Sequence, residues 1–194
     1  MFVLLYGLVE VALPIHVSRD LHASAAVLGG FWTAFAAGEV IGGIAVAYVR
    51  RRRLWPVVTG VILGWGLCLL PVGAAASVGL AVAGFGIGGL IYAPFPATSM
   101  TLFQRASPPG DLIAVLAAKG ALSLLAPALG EVLAGPLVTA VGARRTLLLS
   151  AAATVVLGAV IAAAMAVRAF RAVCHRLLLT DLSFPQRAGC GGPL

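Results

Sequence analysis

Charge is scarce in this sequence. Only six of its 194 residues are Asp or Glu, and all charged residues together make up 10% of the chain, where soluble domains carry about 25%. With 61% hydrophobic residues and a mean hydropathy of +1.09, the composition excludes a soluble globular domain and implies an integral membrane protein. Cysteine is also thin: Cys68, Cys174 and Cys190 show neither paired spacing nor metal-ligand spacing, which argues against a disulfide framework and a zinc site. There is no histidine cluster, no nucleophile motif and no glycine-rich phosphate loop after a strand. Gly84-Phe-Gly86-Ile-Gly88-Gly89 imitates a nucleotide fingerprint but lies inside an apolar run, where that motif has no meaning. The expectation is a non-enzyme with no metal or organic cofactor.

A net charge of +7 would fit a nucleic-acid partner if the arginines formed a patch. They sit instead at the ends of apolar runs, where positive charge reports membrane orientation, so the partner is the lipid bilayer and no nucleic acid is expected. A helix crossing the bilayer core needs about 20 apolar residues. Six runs qualify, at roughly 1–17, 25–49, 54–76, 78–104, 112–141 and 144–168. The first, with Ala23-Ser24-Ala25 behind it, has the alternative of a secretory signal, but it lacks a basic lead-in and carries Glu10 in its apolar part. Placing the N-terminus inside puts nine arginines (Arg50 to Arg53, Arg105, Arg168, Arg171, Arg176, Arg187) on the cytoplasmic side and three (Arg19, Arg144, Arg145) outside. Both termini are therefore expected in the cytoplasm. Residues 169–194 read as a basic cytoplasmic tail, in which Phe170, Val173, Cys174, Leu177 and Leu178 give the spacing of a short surface helix.

One stretch occurs twice. Gly38-Glu39-Val40-Ile41-Gly42-Gly43 runs on to Arg50-Arg51-Arg52-Arg53, and 92 residues later Gly130-Glu131-Val132-Leu133-Ala134-Gly135 runs on to Arg144-Arg145; 8 of 16 aligned positions are identical. The offset carries the second span onto the fifth. Three spans later means an odd number of crossings, so the chain reads as two three-helix units in inverted topology, an arrangement known in transporters.

Carboxylates inside membrane spans need an explanation, because a charge near mid-membrane costs roughly 2.5–3.5 kcal/mol on insertion scales. Glu10, Glu39, Lys119 and Glu131 fall on the first, second and fifth spans. These should line an aqueous interior, leaving the third and sixth spans as lipid-facing supports. Glycines four apart, Gly38 with Gly42, Gly60 with Gly64 and Gly84 with Gly88, would let backbones approach closely. The fourth span adds Pro94 and Pro96, and an interrupted apolar helix is a pointer to a transport site.

The residues from Glu10 to Pro14, Gly29 to Gly43, Tyr92 to Pro109 and Ala126 to Pro136 resemble the C-terminal six-helix half of a major facilitator superfamily transporter, nearest to its bacterial efflux branch. Gly43, Arg50, Arg51, Arg52 and Arg53 stand where that family has its Gly-x-x-x-Asp-Arg-x-Gly-Arg-Arg loop; the Asp, the first Arg and the second Gly of the motif are not here. The resemblance implies proton-coupled secondary transport in the inner membrane of a bacterium, most simply efflux of a small amphiphilic molecule, with the first and fourth spans lining the path and the second and fifth facing another half. A complete member has twelve spans. This chain is thus expected to be a truncated or partial product, or a half that works with a second six-helix body or as a homodimer. The alternative is a non-transporting membrane fragment or interaction module.

For each residue two readings compete. Glu39 shares a helix face with Phe31, Phe35 and Gly43, which suits a proton-coupled site for a cationic lipophile; otherwise it is a buried acid hydrogen-bonded to a neighbouring helix. Glu131 repeats the argument, and the resemblance places it in a segment, Pro127 to Pro136, that bends between halves. Glu10 is central in its run. Lys119 either pairs with one of these acids or snorkels to the surface. Tyr92, Pro94 and Ser99 belong to the substrate path, with Thr98 and Gln104 beside them, or they satisfy backbone carbonyls. His16 and His22 read as solvated loop residues, with pH sensing as the functional alternative. Arg50 to Arg53 anchor the topology at the inner surface.

Overall fold

In a bilayer every backbone N–H and C=O must find its partner inside the protein, which makes long apolar runs helical. The computed structural model describes residues 1–49, 54–74, 77–108 and 110–182, the side chains at 45–49 and 172–182 excepted. Every regular element among them is a helix. These are α1 (Phe2–Ile15), α2 (Ala25–Val49), α3 (Leu54–Ala74), α4 (Val78–Tyr92), α5 (Pro94–Ala106), α6 (Leu112–Val141) and α7 (Ala143–Leu182), with a widened π turn, His16–Asp20, continuing α1. Six spans are long and apolar enough to cross a membrane: α1 with its π turn, α2, α3, α4 with α5, α6 and α7. The chain is a multi-pass helical membrane protein.

Expected boundaries shift in two places. The first span continues to Asp20, because the π turn carries it on until His22 takes a left-handed φ of 48° and stops it. The last helix, α7, carries the span Ala143–Arg171 and runs on unbroken to Leu182, so the residues expected to form a surface helix around Phe170 are helical in continuity with the span. The basic loop Arg50 to Arg53, and the tail from 183 onward, lie outside the described residues. By packing, the chain divides into Met1–Ala159 and a second unit, Val160–Leu194, whose described part is the distal length of α7.

Within Met1–Ala159 the helices meet through glycine. No hydrophobic drive pushes helices together in lipid, so close backbone contact must hold them. α2 lies on α4: a Cβ on Gly38 would collide with the backbone of Gly86 and Leu90, and one on Gly42 with Leu90 and Ala93. α6 lies on α1 in the same manner, Gly130 against the Leu4 carbonyl and Gly7 against Pro127. Gly84 and Gly88 are close to Cys68, Pro71 and Trp65 of α3, as their spacing predicts; Gly60 meets nothing within 4 Å and Gly64 meets only the Ile91 side chain. α7 is tied to α1 by a buried hydrogen bond from Ser150 Oγ to the Leu5 carbonyl, 2.8 Å. It is tied to α3 by Arg144, whose Nε donates to the Gly73 carbonyl at 2.9 Å, covering acceptors that a helix C-terminus leaves open.

The division into lined and lipid-facing helices differs from expectation. α3 buries Val58, Val61, Ile62, Trp65, Leu69 and Val72, because a span without ionisable groups can be enclosed on several sides at no electrostatic cost. α6 buries only Gly130, Ala134 and Val138, one stripe four residues apart. Leu122, Leu125, Leu129, Val132 and Leu133 stand exposed on it, as do Val40, Ile41 and Ile44 on α2.

Candidate functional site

Tyr6 and Glu10 are four residues apart on α1 and therefore share a face. The α1–α6 crossing is fixed by Gly7 and Gly130, and the acids stand within one turn of it, Glu10 three residues beyond Gly7 and Glu131 next to Gly130. That brings the two carboxyl groups within hydrogen-bonding reach of each other. Glu10 is half-buried and Glu131 lies on the open side of α6. Two ionised carboxylates this close repel one another.

Glu39 belongs to the same neighbourhood. Tyr6 is within electrostatic range of Glu10, Tyr92 and Glu39, and Tyr92 within range of Glu39 and Glu10. The two phenol rings stack with centroids 5.6 Å apart and planes 22° from parallel. A tyrosine hydroxyl both donates and accepts, so two stacked tyrosines among three acids form a polar patch carried by α1, α2, α4 and α6. Behind it stands an aromatic wall: Trp65 is in ring contact with Tyr6, Phe35, Phe85 and Tyr92 at 5.5–5.9 Å.

Of the residues singled out by sequence, Glu10 and Glu131 come together and Glu39 joins them through the tyrosines. Phe31 and Phe35 are buried, 0% and 6% exposed, within the aromatic wall. Tyr92 and Ser99 line a cavity together with Lys119. Pro94 opens α5 directly after the break at Ala93, the interruption that the fourth span's composition predicts. Ser99 and Thr98 donate to the carbonyls of Pro96 and Pro94, at 3.0 and 2.6 Å, the backbone-satisfying role. Gly43 meets nothing within 4 Å.

Of the two readings of Lys119, pairing with an acid is not seen among the described residues, where the one ion pair is His16 with Asp20; Glu131 stands twelve residues along the same helix, about 18 Å away. One expectation is corrected. His16 is not a solvated loop residue. It is 1% exposed, its Nδ1 lies 2.6 Å from Asp20 Oδ2, and its Nε2 is buried without a partner. It stands four residues beyond buried Ala12, on the inward stripe of α1 with Leu5, Val9 and Leu13, and the span runs on past it to Asp20. Tyr6 escaped the sequence reading although its spacing to Glu10 was a readable signal; Trp65 had none, since a tryptophan in an apolar run is ordinary. Comparison with protein-family models, with curated proteins and with solved structures finds no match.

Proposed function

We propose that this chain is a proton-coupled secondary transporter module of the major facilitator type, moving a small amphiphilic molecule. The observation that carries the reading is the meeting of Glu10 and Glu131 inside two membrane spans. A purely structural bundle has no reason to place two acids in contact where each is expensive. A carrier that binds and releases protons has one.

The contact pattern supports the inverted-repeat part of the proposal. Exchanging the first span with the fourth and the second with the fifth turns the α2–α4 contact into the α6–α1 contact. The repeat aligns Gly38 with Gly130 and Gly42 with Ala134, and all four are buried at these two crossings. The exposed apolar faces of α2 and α6 support a second six-helix body against them, either a partner half or another copy of the chain. The arginine distribution supports cytoplasmic termini; a bacterial inner membrane rests on the family resemblance alone.

The test is flux in vesicles containing only this chain, with a proton gradient imposed and a panel of amphiphiles, run beside cross-linking through Val40→Cys and Val132→Cys. Gradient-dependent flux that disappears in Glu39→Gln, in a cross-linkable dimer, supports a half-size transporter. A stably inserted chain with no flux, either alone or with a second half supplied, favours the non-transporting interaction module.

A further inference from the structure

Lys119 is the one lysine of the sequence. It stands seven residues into α6, about 10 Å along the helix, half-buried and without an ion-pair partner among the described residues. It faces a cavity of about 430 Å³ between α1, α5 and α6, whose wall includes Tyr92, Phe95, Ser99, Leu122 and Ser123. A second cavity of about 340 Å³, lined by Phe2, Trp55, Val58, Ile62 and Leu102, shares the Val3, Phe95, Ser99 and Phe103 wall with the first. The two adjoin, one with a cation in its wall and one almost wholly apolar.

The donors available in the first chamber can be counted. Ser123 gives its hydroxyl proton to the Lys119 carbonyl at 2.8 Å and Ser99 gives its own to Pro96. Among side chains that leaves the Lys119 ammonium, and the Tyr92 hydroxyl on the same wall, to meet a ligand. None of Glu10, Glu39 and Glu131 lines either chamber, so the one charged side chain in their walls is Lys119. Each volume falls in the range of about 300–1,000 Å³ usual for small-molecule sites.

We propose that the adjoining cavities bind a single-chain amphiphile with an anionic head, its head at Lys119 and its alkyl chain against Phe2, Val58, Ile62 and Leu102. This departs from the cationic lipophile that an acid beside aromatics predicts. It names a ligand class for the transporter proposed above and rests on that reading only for its role as substrate; binding is measured without flux, so either can fail alone.

The probe is a bromine-labelled fatty acid added to the full chain in nanodiscs of zwitterionic lipid, with tryptophan fluorescence as readout. Trp55 lines the apolar chamber, whereas Trp32 and Trp65 belong to the aromatic wall. Saturable quenching is expected, lost in Trp55→Phe, weakened about tenfold in Lys119→Gln and retained in Lys119→Arg, since a charge-assisted contact is worth on the order of a tenfold change in affinity. The methyl ester of the same acid and a trimethylammonium of equal chain length should bind at least about tenfold more weakly. A brominated phosphatidylglycerol in the bilayer separates the two sources of this chemistry: Lys119-dependent quenching by the free acid assigns the single-chain ligand. Quenching by the two-chain lipid alone overturns that assignment. Equal quenching by acid, ester and ammonium in the unaltered protein overturns the proposal without recourse to any variant.

Discussion

Glu10 of α1 and Glu131 of α6 come within hydrogen-bonding reach beside a crossing whose contact residues, Gly7 and Gly130, leave no room for a side chain on either helix. The glycines determine how near the acids come. A wider crossing would let each carboxyl take water separately.

Removing the charge from one acid should therefore be tolerated. Glu131→Gln keeps the shape and supplies an amide N–H to Glu10, so thermal unfolding in detergent is expected within about 1 kcal/mol of the unaltered chain. A loss of several kcal/mol would mean that the acids are structural.

Glycine substitutions should sort by helix crossing. Gly38→Val and Gly130→Val each drive a side chain into backbone carbonyls that cannot move aside cheaply, and overpacking costs about 1–3 kcal/mol or more. Gly43→Ala, with nothing within 4 Å, should instead be neutral or stabilising by up to about 1 kcal/mol. Unfolding midpoints of the three proteins in one detergent check the order.

Trp65 fills the centre of the aromatic wall at 1% exposure. Trp65→Ala should cost roughly 3 kcal/mol through the cavity it leaves, and it should also free Tyr6 and Tyr92 to reorient. Near-ultraviolet circular dichroism of the aromatic bands, read beside the unfolding midpoint, tests both effects.

His16 and Asp20 make an asymmetric pair. Asp20→Ala leaves both ring nitrogens of a buried histidine without partners, a loss of about 1–3 kcal/mol. His16→Leu removes the ring together with its already unpaired Nε2 and frees Asp20, which is 39% exposed, to reach water. The first change should be the more harmful, judged by the fraction of properly folded protein recovered from membranes.

What could be read in the sequence follows from what is local. Span number and position come from apolar length, and the break before Pro94 comes from a residue that lacks an N–H and restricts its neighbour. The buried glycines at 38 and 42 come from four-residue spacing. The meeting of Glu10 with Glu131 was not legible, since it joins residues 121 positions apart through a crossing that spacing does not encode. His16 was misplaced because the first span was ended near residue 17, which put a residue of its buried stripe at the outer end. The enclosure of α3 was misjudged because lack of charge permits burial as readily as exposure to lipid. Lys119 carried two open readings, and only its cavity gave it a place.

The most direct test of the carboxyl pair is infrared spectroscopy of the chain in lipid at neutral pH, followed through exchange into heavy water. A site that carries protons predicts the carbonyl band of a protonated carboxylic acid, shifting as deuterium enters and lost when Glu10→Gln and Glu131→Gln are combined. No such band, or one that never exchanges, would contradict a proton-handling role for these two residues.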